Sequence, residues 1–130
     1  MKEEDKKLKI LIVDDDRFLL DMYSLKFKKY GLEVDAMGSS LSALDKLRTG
    51  SVYDILILDI IMPSIDGLEF LKRVREEKLV PSAIVIMLTN QADDFEKAKN
   101  LDIDGYIIKA TTIPSEVVDQ VLAVYKSKHK

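Results

Sequence analysis

Short apolar runs alternate with amphipathic stretches five times along this chain, and that alternation limits the fold more than any other feature. The apolar runs are Leu8–Val13, Glu33–Met37, Ile55–Leu58, Ala83–Leu88 and Gly105–Ile108. Each has the length of a strand rather than a helix. Between them the apolar positions fall at helical spacing. Asp16–Tyr30 carries Phe18, Met22 and Leu25 and stops at Gly31. Ser39 or Ser40 can cap a helix that runs through Leu41, Leu44 and Leu47 to Gly50. Asp66-Gly67 opens another, with Leu68, Leu71 and Val74. Gln91–Asn100 points Phe95, Ala98 and Leu101 inward. Pro114 starts the last, whose stripe is Val117, Val118, Val121, Leu122 and Tyr125. Strands linked by helices through right-handed crossovers form a parallel sheet covered on both faces. The first and third runs are the most uniformly apolar, so they belong at the centre. The expected architecture is α/β: a doubly wound, five-stranded parallel sheet in the order 2-1-3-4-5.

A chain of 130 residues suggests one domain. It is long enough to bury a core without disulfides or structural metal, and it has no cysteine. No apolar run approaches the roughly 20 residues that span a bilayer, and no signal peptide precedes the first strand, so the expected location is the cytoplasm, without membrane insertion. The net charge of −3, with 33% charged residues of both signs, argues against direct nucleic-acid binding. Residues 1–7 read as a charged leader and residues 126–130 as a basic tail, both frayed.

Chemistry collects at the carboxyl ends of the strands, where open α/β sheets place their ligands. The first strand ends in Asp14-Asp15-Asp16, the third in Asp59, the fourth in Thr89 and the fifth in Lys109. One acid suffices to cap a helix, and Asp16 takes that role. Two remain unexplained by capping, and close carboxylates repel unless a cation neutralises them. Asp14, Asp15 and Asp59 therefore suit Mg²⁺, a hard ion with oxygen ligands, and the main-chain carbonyl of Ile61 can add another. Asp59 is then placed to accept a phosphoryl group as a mixed anhydride, with Lys109 neutralising charge and the Thr89 hydroxyl donating to a phosphate oxygen.

Taken together, Val13-Asp14-Asp15, Leu58-Asp59, Met62-Pro63-x-x-Asp66-Gly67, Leu88-Thr89 and Tyr106-Ile107-Ile108-Lys109 resemble the receiver domain of two-component response regulators, from about Leu8 to Tyr125. The resemblance implies a flavodoxin-like three-layer sandwich and supports the strand order. It implies a chemotaxis-regulator-like receiver, either stand-alone or excised from a larger protein, with residues 1–130 as a single domain. Carried over by position, Asp59 is the phosphoacceptor, Asp14 and Asp15 the acid pair for Mg²⁺, Thr89 and Lys109 the groups that bind the phosphoryl, and Thr89 and Tyr106 the switch pair. The implied donor is a histidine kinase or a histidine phosphotransfer protein, and the implied output is binding of an unknown downstream protein. Such a module catalyses its own phosphorylation and dephosphorylation and is not a turnover enzyme. Three departures stand out: Ala110 follows Lys109 where the family usually has proline, Asn90 follows Thr89 where a small residue is usual, and the run from Lys109 to Pro114 is about one residue longer.

Other functions fit less well. A haloacid-dehalogenase-like aspartyl phosphatase needs a second acid two residues after its nucleophile, and here that position is Ile61. A flavodoxin-like cofactor binder needs a phosphate cradle after the first strand, where Asp14-Asp15-Asp16 would repel a phosphate. A non-phosphorylated scaffold receiver would lack an essential site residue, and none is missing. His129 lies in the tail and is expected to be neither ligand nor phosphodonor.

Overall fold

The computed structural model describes residues 7–90 and 95–129. In chain order the elements are β1 (Lys9–Val13), α1 (Arg17–Lys29), β2 (Glu33–Met37), α2 (Ser40–Arg48), β3 (Ile55–Asp59), α3 (Gly67–Glu76), β4 (Ile84–Thr89), α4 (Phe95–Ala98), β5 (Gly105–Ile108) and α5 (Pro114–Lys128). A 3-10 turn over Lys99–Leu101 extends α4, and another over Lys109–Thr111 follows β5. All strand pairs are parallel, and the sheet runs β2-β1-β3-β4-β5, as expected. No helix among the described residues is long and apolar enough to cross a membrane.

Alternation along the central strands sends side chains into two cores. Ile10, Ile12, Ile55, Ile57, Ile84 and Ile86 pack with α1 and α5. Leu11, Val13, Leu56, Leu58, Val85 and Met87 pack with α2 and α3. Both faces of β3 and β4 are buried, which is why those runs are apolar without a break.

Helix ends follow the local chemistry. Asp16 caps α1, accepting from the Leu19 amide at 3.1 Å. Gly31, just past the end of α1, takes φ +86°, a conformation open to a residue without Cβ. Ser39, not Ser40, caps α2, accepting from the Ser42 amide at 3.2 Å. Asp66 caps α3, accepting from the Glu69 amide at 2.8 Å.

Helix phase departs from the expectation at several places. The buried face of α1 is Leu20, Tyr23, Ser24 and Phe27, while Phe18 is 72% and Leu25 56% exposed. Two apolar stripes compete on this helix, and packing against the sheet and α5 decides between them. On α2 Leu41 is exposed, while Ala43, Leu44 and Leu47 are buried. On α3 Phe70 joins Leu71 and Val74 in the core, and Leu68 is half-buried. In the fourth helix Ala98 is buried and Leu101 partly so; residues 91–94 and the Phe95 side chain lie outside the described residues. Residues 126–128 are helical and extend α5 rather than fraying. Residues 1–6 of the expected leader lie outside the described residues.

Candidate functional site

Register alone brings the chemistry to one edge of the sheet. Val13 pairs with Leu58, so Asp14 and Asp59 each stand one residue beyond the same rung. The Asp14 amide continues the ladder, donating to the Met37 carbonyl at 3.2 Å. Val13 and Leu58 face the α2–α3 core, so the following residues Asp14 and Asp59 turn to the opposite face. Thr89 pairs with Ile108, which places Lys109 one step beyond. Thr89 and Tyr106 lie on the α2–α3 side: Thr89 follows the inward Leu88 of the other core, and Tyr106, beside Met87, packs against the α2–α3 cluster.

The lysine closes the site. Its Nζ lies 2.7 Å from Asp14 Oδ2 and 3.2 Å from Asp59 Oδ2, and all three side chains are nearly inaccessible to solvent. Asp14 Oδ1 accepts from the Asp16 amide at 2.9 Å. The short contact makes Asp14 Oδ2 the closer partner of the ammonium. Asp15 is exposed at the mouth. A cavity of about 380 Å³ opens here, lined by Asp15, Asp16, Asp59, Ile61, Thr89, Asn90 and Lys109.

The electrostatics follow from burial. Desolvation first, then the charge of Asp14, raise the Asp59 carboxyl to about 7, while Lys109 opposes the rise. Burial draws the Lys109 ammonium down, but its contacts with Asp14 and Asp59 outweigh that, and its net shift is upward. Tyr23 of α1, fully buried, is raised mainly by burial and senses the charges of Lys109, Asp14, Asp16 and Asp59. A tyrosine on an amphipathic helix carries no sequence signal for such a place.

Carboxylate oxygens of Asp14, Asp15 and Asp59 lie within 4.8 Å of one another. Three carboxylates, hard oxygen donors at the mouth of an open cavity, fit Mg²⁺. The Ile61 side chain is 57% exposed at the rim and its backbone belongs to the loop beside Asp59. That loop approaches closely because of Gly67. A Cβ there would collide with the Asp59 carbonyl oxygen and lie 2.9 Å from its carbonyl carbon. The Gly67 amide donates to Ile60 at 2.7 Å.

Ala110 also leaves its mark. Lys109 begins a 3-10 turn, a conformation that a following proline would disfavour. Every described peptide bond is trans, including Lys109–Ala110. His129 sits at the far end of α5, stacked on Tyr125 with ring centroids 4.1 Å apart.

The model of the response regulator receiver domain family matches residues 10–121. The chain belongs to that family. Among curated proteins it is 34% identical over 119 residues to response regulator ArlR of Staphylococcus haemolyticus, covering 90% of this chain and 52% of that protein. The chain thus spans about half the length of the curated relatives it matches. Among solved structures it matches the chemotaxis protein CheY4 of Vibrio cholerae with a TM-score of 0.82, 26% identity, and 92% and 99% of the two chains covered. It matches the response regulator TrrA of Thermotoga maritima, determined with Mg²⁺ and BeF, with a TM-score of 0.77, 30% identity, and 92% and 99% covered. Receiver membership makes this a phosphoryl-accepting module of two-component signalling and does not favour the dehalogenase-type or non-phosphorylated scaffold alternatives.

Proposed function

We propose that Asp59 is the residue that accepts the phosphoryl group, with Asp14, Asp15, Asp59 and the Ile61 carbonyl holding Mg²⁺. The observation that carries this reading is the buried Lys109 ammonium set between Asp14 and Asp59 beside the open cavity. In the transfer, an Asp59 carboxylate oxygen forms a bond to phosphorus as the phosphorus–nitrogen bond of a phosphohistidine breaks. The electron pair leaves with the imidazole nitrogen. Bound Mg²⁺ would supply charge neutralisation for the phosphoryl oxygens. Lys109 supports the incoming negative charge, and Thr89 donates its hydroxyl to a phosphoryl oxygen. The donor is a histidine kinase or histidine phosphotransfer protein, and self-catalysed transfer from a small acyl phosphate needs the same groups.

Phosphorylation adds about −2 charge at the sheet edge. Thr89 reads it from one side, and Tyr106, on the neighbouring strand and the same face, carries the response toward α4 and α5. The result is a changed surface for a downstream protein. The 130 residues are read as one receiver domain. The test is intact-mass spectrometry after incubation with acetyl phosphate and Mg²⁺: one phosphoryl adduct on the wild type and none on Asp59→Asn. An equal adduct on both would assign the acceptor elsewhere.

A further inference from the structure

The junction between β2 and α2 contributes no acid and no cation to the site, yet it touches both acid-bearing loops. On one side the Met37 carbonyl accepts the Asp14 amide at 3.2 Å. On the other, the Ser40 hydroxyl donates to the Ile65 carbonyl at 2.7 Å, across 25 positions of sequence. Ser40 is 2% exposed and is the first residue of α2, so the helix fixes its Cβ. The loop it reaches, 60–66, carries the Ile61 main chain. The Gly67 amide closes that loop at its base on Ile60. Inside it, Ser64 takes φ +70°, a conformation that a serine keeps only when its surroundings hold it there. Met62 and Ile65 pack into the α2–α3 core and hold the loop down, but apolar packing does not direct a carbonyl. A hydrogen bond from the buried Ser40 hydroxyl does so at Ile65.

We propose that Ser40 is a positioning residue for the metal pocket: its bond to Ile65 holds the β3–α3 loop so that the Ile61 carbonyl and Asp59 face the ion together. The inference rests on the reading of Asp14, Asp15, Asp59 and Ile61 as an Mg²⁺ pocket. The bond exists before the ion arrives. Without it the loop populates other arrangements, and the apparent affinity falls with the fraction still competent to bind. One neutral hydrogen bond is worth a factor of about three to ten in such a fraction. Capping does not explain Ser40, because Ser39 already caps the helix.

The neighbouring serines make the experiment. Mg²⁺ is titrated into wild type, Ser40→Ala and Ser39→Ala, followed by amide NMR shifts at Asp15, Asp59 and Ile61. Urea unfolding of each is measured in Mg²⁺-free buffer. Ser39→Ala loses the cap of α2, so its unfolding midpoint falls while its Mg²⁺ affinity stays at the wild-type value. Ser40→Ala binds Mg²⁺ about three- to tenfold more weakly. Wild-type affinity in Ser40→Ala, whatever its stability, overturns the proposal. An equal loss of affinity in both variants also overturns it, because the cause would then be a weakened α2. A wild type with no saturable shifts defeats the Mg²⁺ pocket itself, and with it the role of Ser40.

Discussion

Replacing Asp59 by asparagine should stabilise the metal-free protein at neutral pH and leave it nearly unchanged in acid. Asp59 is 6% exposed, and its carboxyl is raised from 3.8 to about 7 by burial and by Asp14, against the pull of Lys109. An acid with a raised folded pKa holds its proton in the native state after the unfolded chain has lost it. Between about pH 4 and 7 the native state binds the extra proton, so stability falls as pH rises. Three units at 1.36 kcal/mol each give about 4 kcal/mol as an upper bound. Water entering the open mouth of the site reduces this, and about 2 kcal/mol is expected. Asparagine is nearly isosteric with the protonated acid, so the two proteins should match near pH 4 and diverge toward pH 7.5. Urea unfolding in chelator at both pH values gives the difference directly, and titrating groups remote from Asp59 cancel in the comparison. Saturating Mg²⁺ should return stability to the wild type and add little to the variant. A pH-independent difference, or a less stable variant at pH 7.5, would refute the electrostatic account.

Three more expectations rest on single residues. Thr89→Ala should still take up phosphoryl from acetyl phosphate but lose most of the NMR shift change near Tyr106; a full response would break the proposed coupling between them. Ile61→Asn should speed loss of labelled phosphate by up to about tenfold, because an amide can orient the attacking water where an isoleucine cannot. An unchanged or slower decay would defeat that reasoning; Gln91, two residues past Thr89, where the resemblance to receivers implies a second side chain flanking the water, lies outside the described residues. Gly67→Ala must push the start of α3 away from the Asp59 carbonyl, costing about 1–3 kcal/mol and lowering the rate of phosphorylation. A fully active, equally stable Gly67→Ala would show that the close approach is dispensable.

The acids, the threonine and the lysine were legible in the sequence because every strand of a parallel sheet ends on the same side. Once Leu8–Val13, Ile55–Leu58, Ala83–Leu88 and Gly105–Ile108 read as strands, the residues that follow them must share an edge. Helix phase was less legible. Phe18, Met22 and Leu25 make as good a helical stripe as Leu20, Tyr23 and Phe27, and local periodicity cannot rank two apolar stripes. The unequal roles of neighbouring acids also came from tertiary structure: Asp14 is buried against Lys109, while Asp15 faces the cavity. The same holds for two neighbouring serines, one capping α2 and the other reaching Ile65. The sequence by itself determined which residue types meet at the sheet edge, because strand direction and alternation are local properties of the chain. Which of them is buried, paired or tied to a distant loop depended on contacts between segments far apart in sequence, and only packing the layers together decides those contacts.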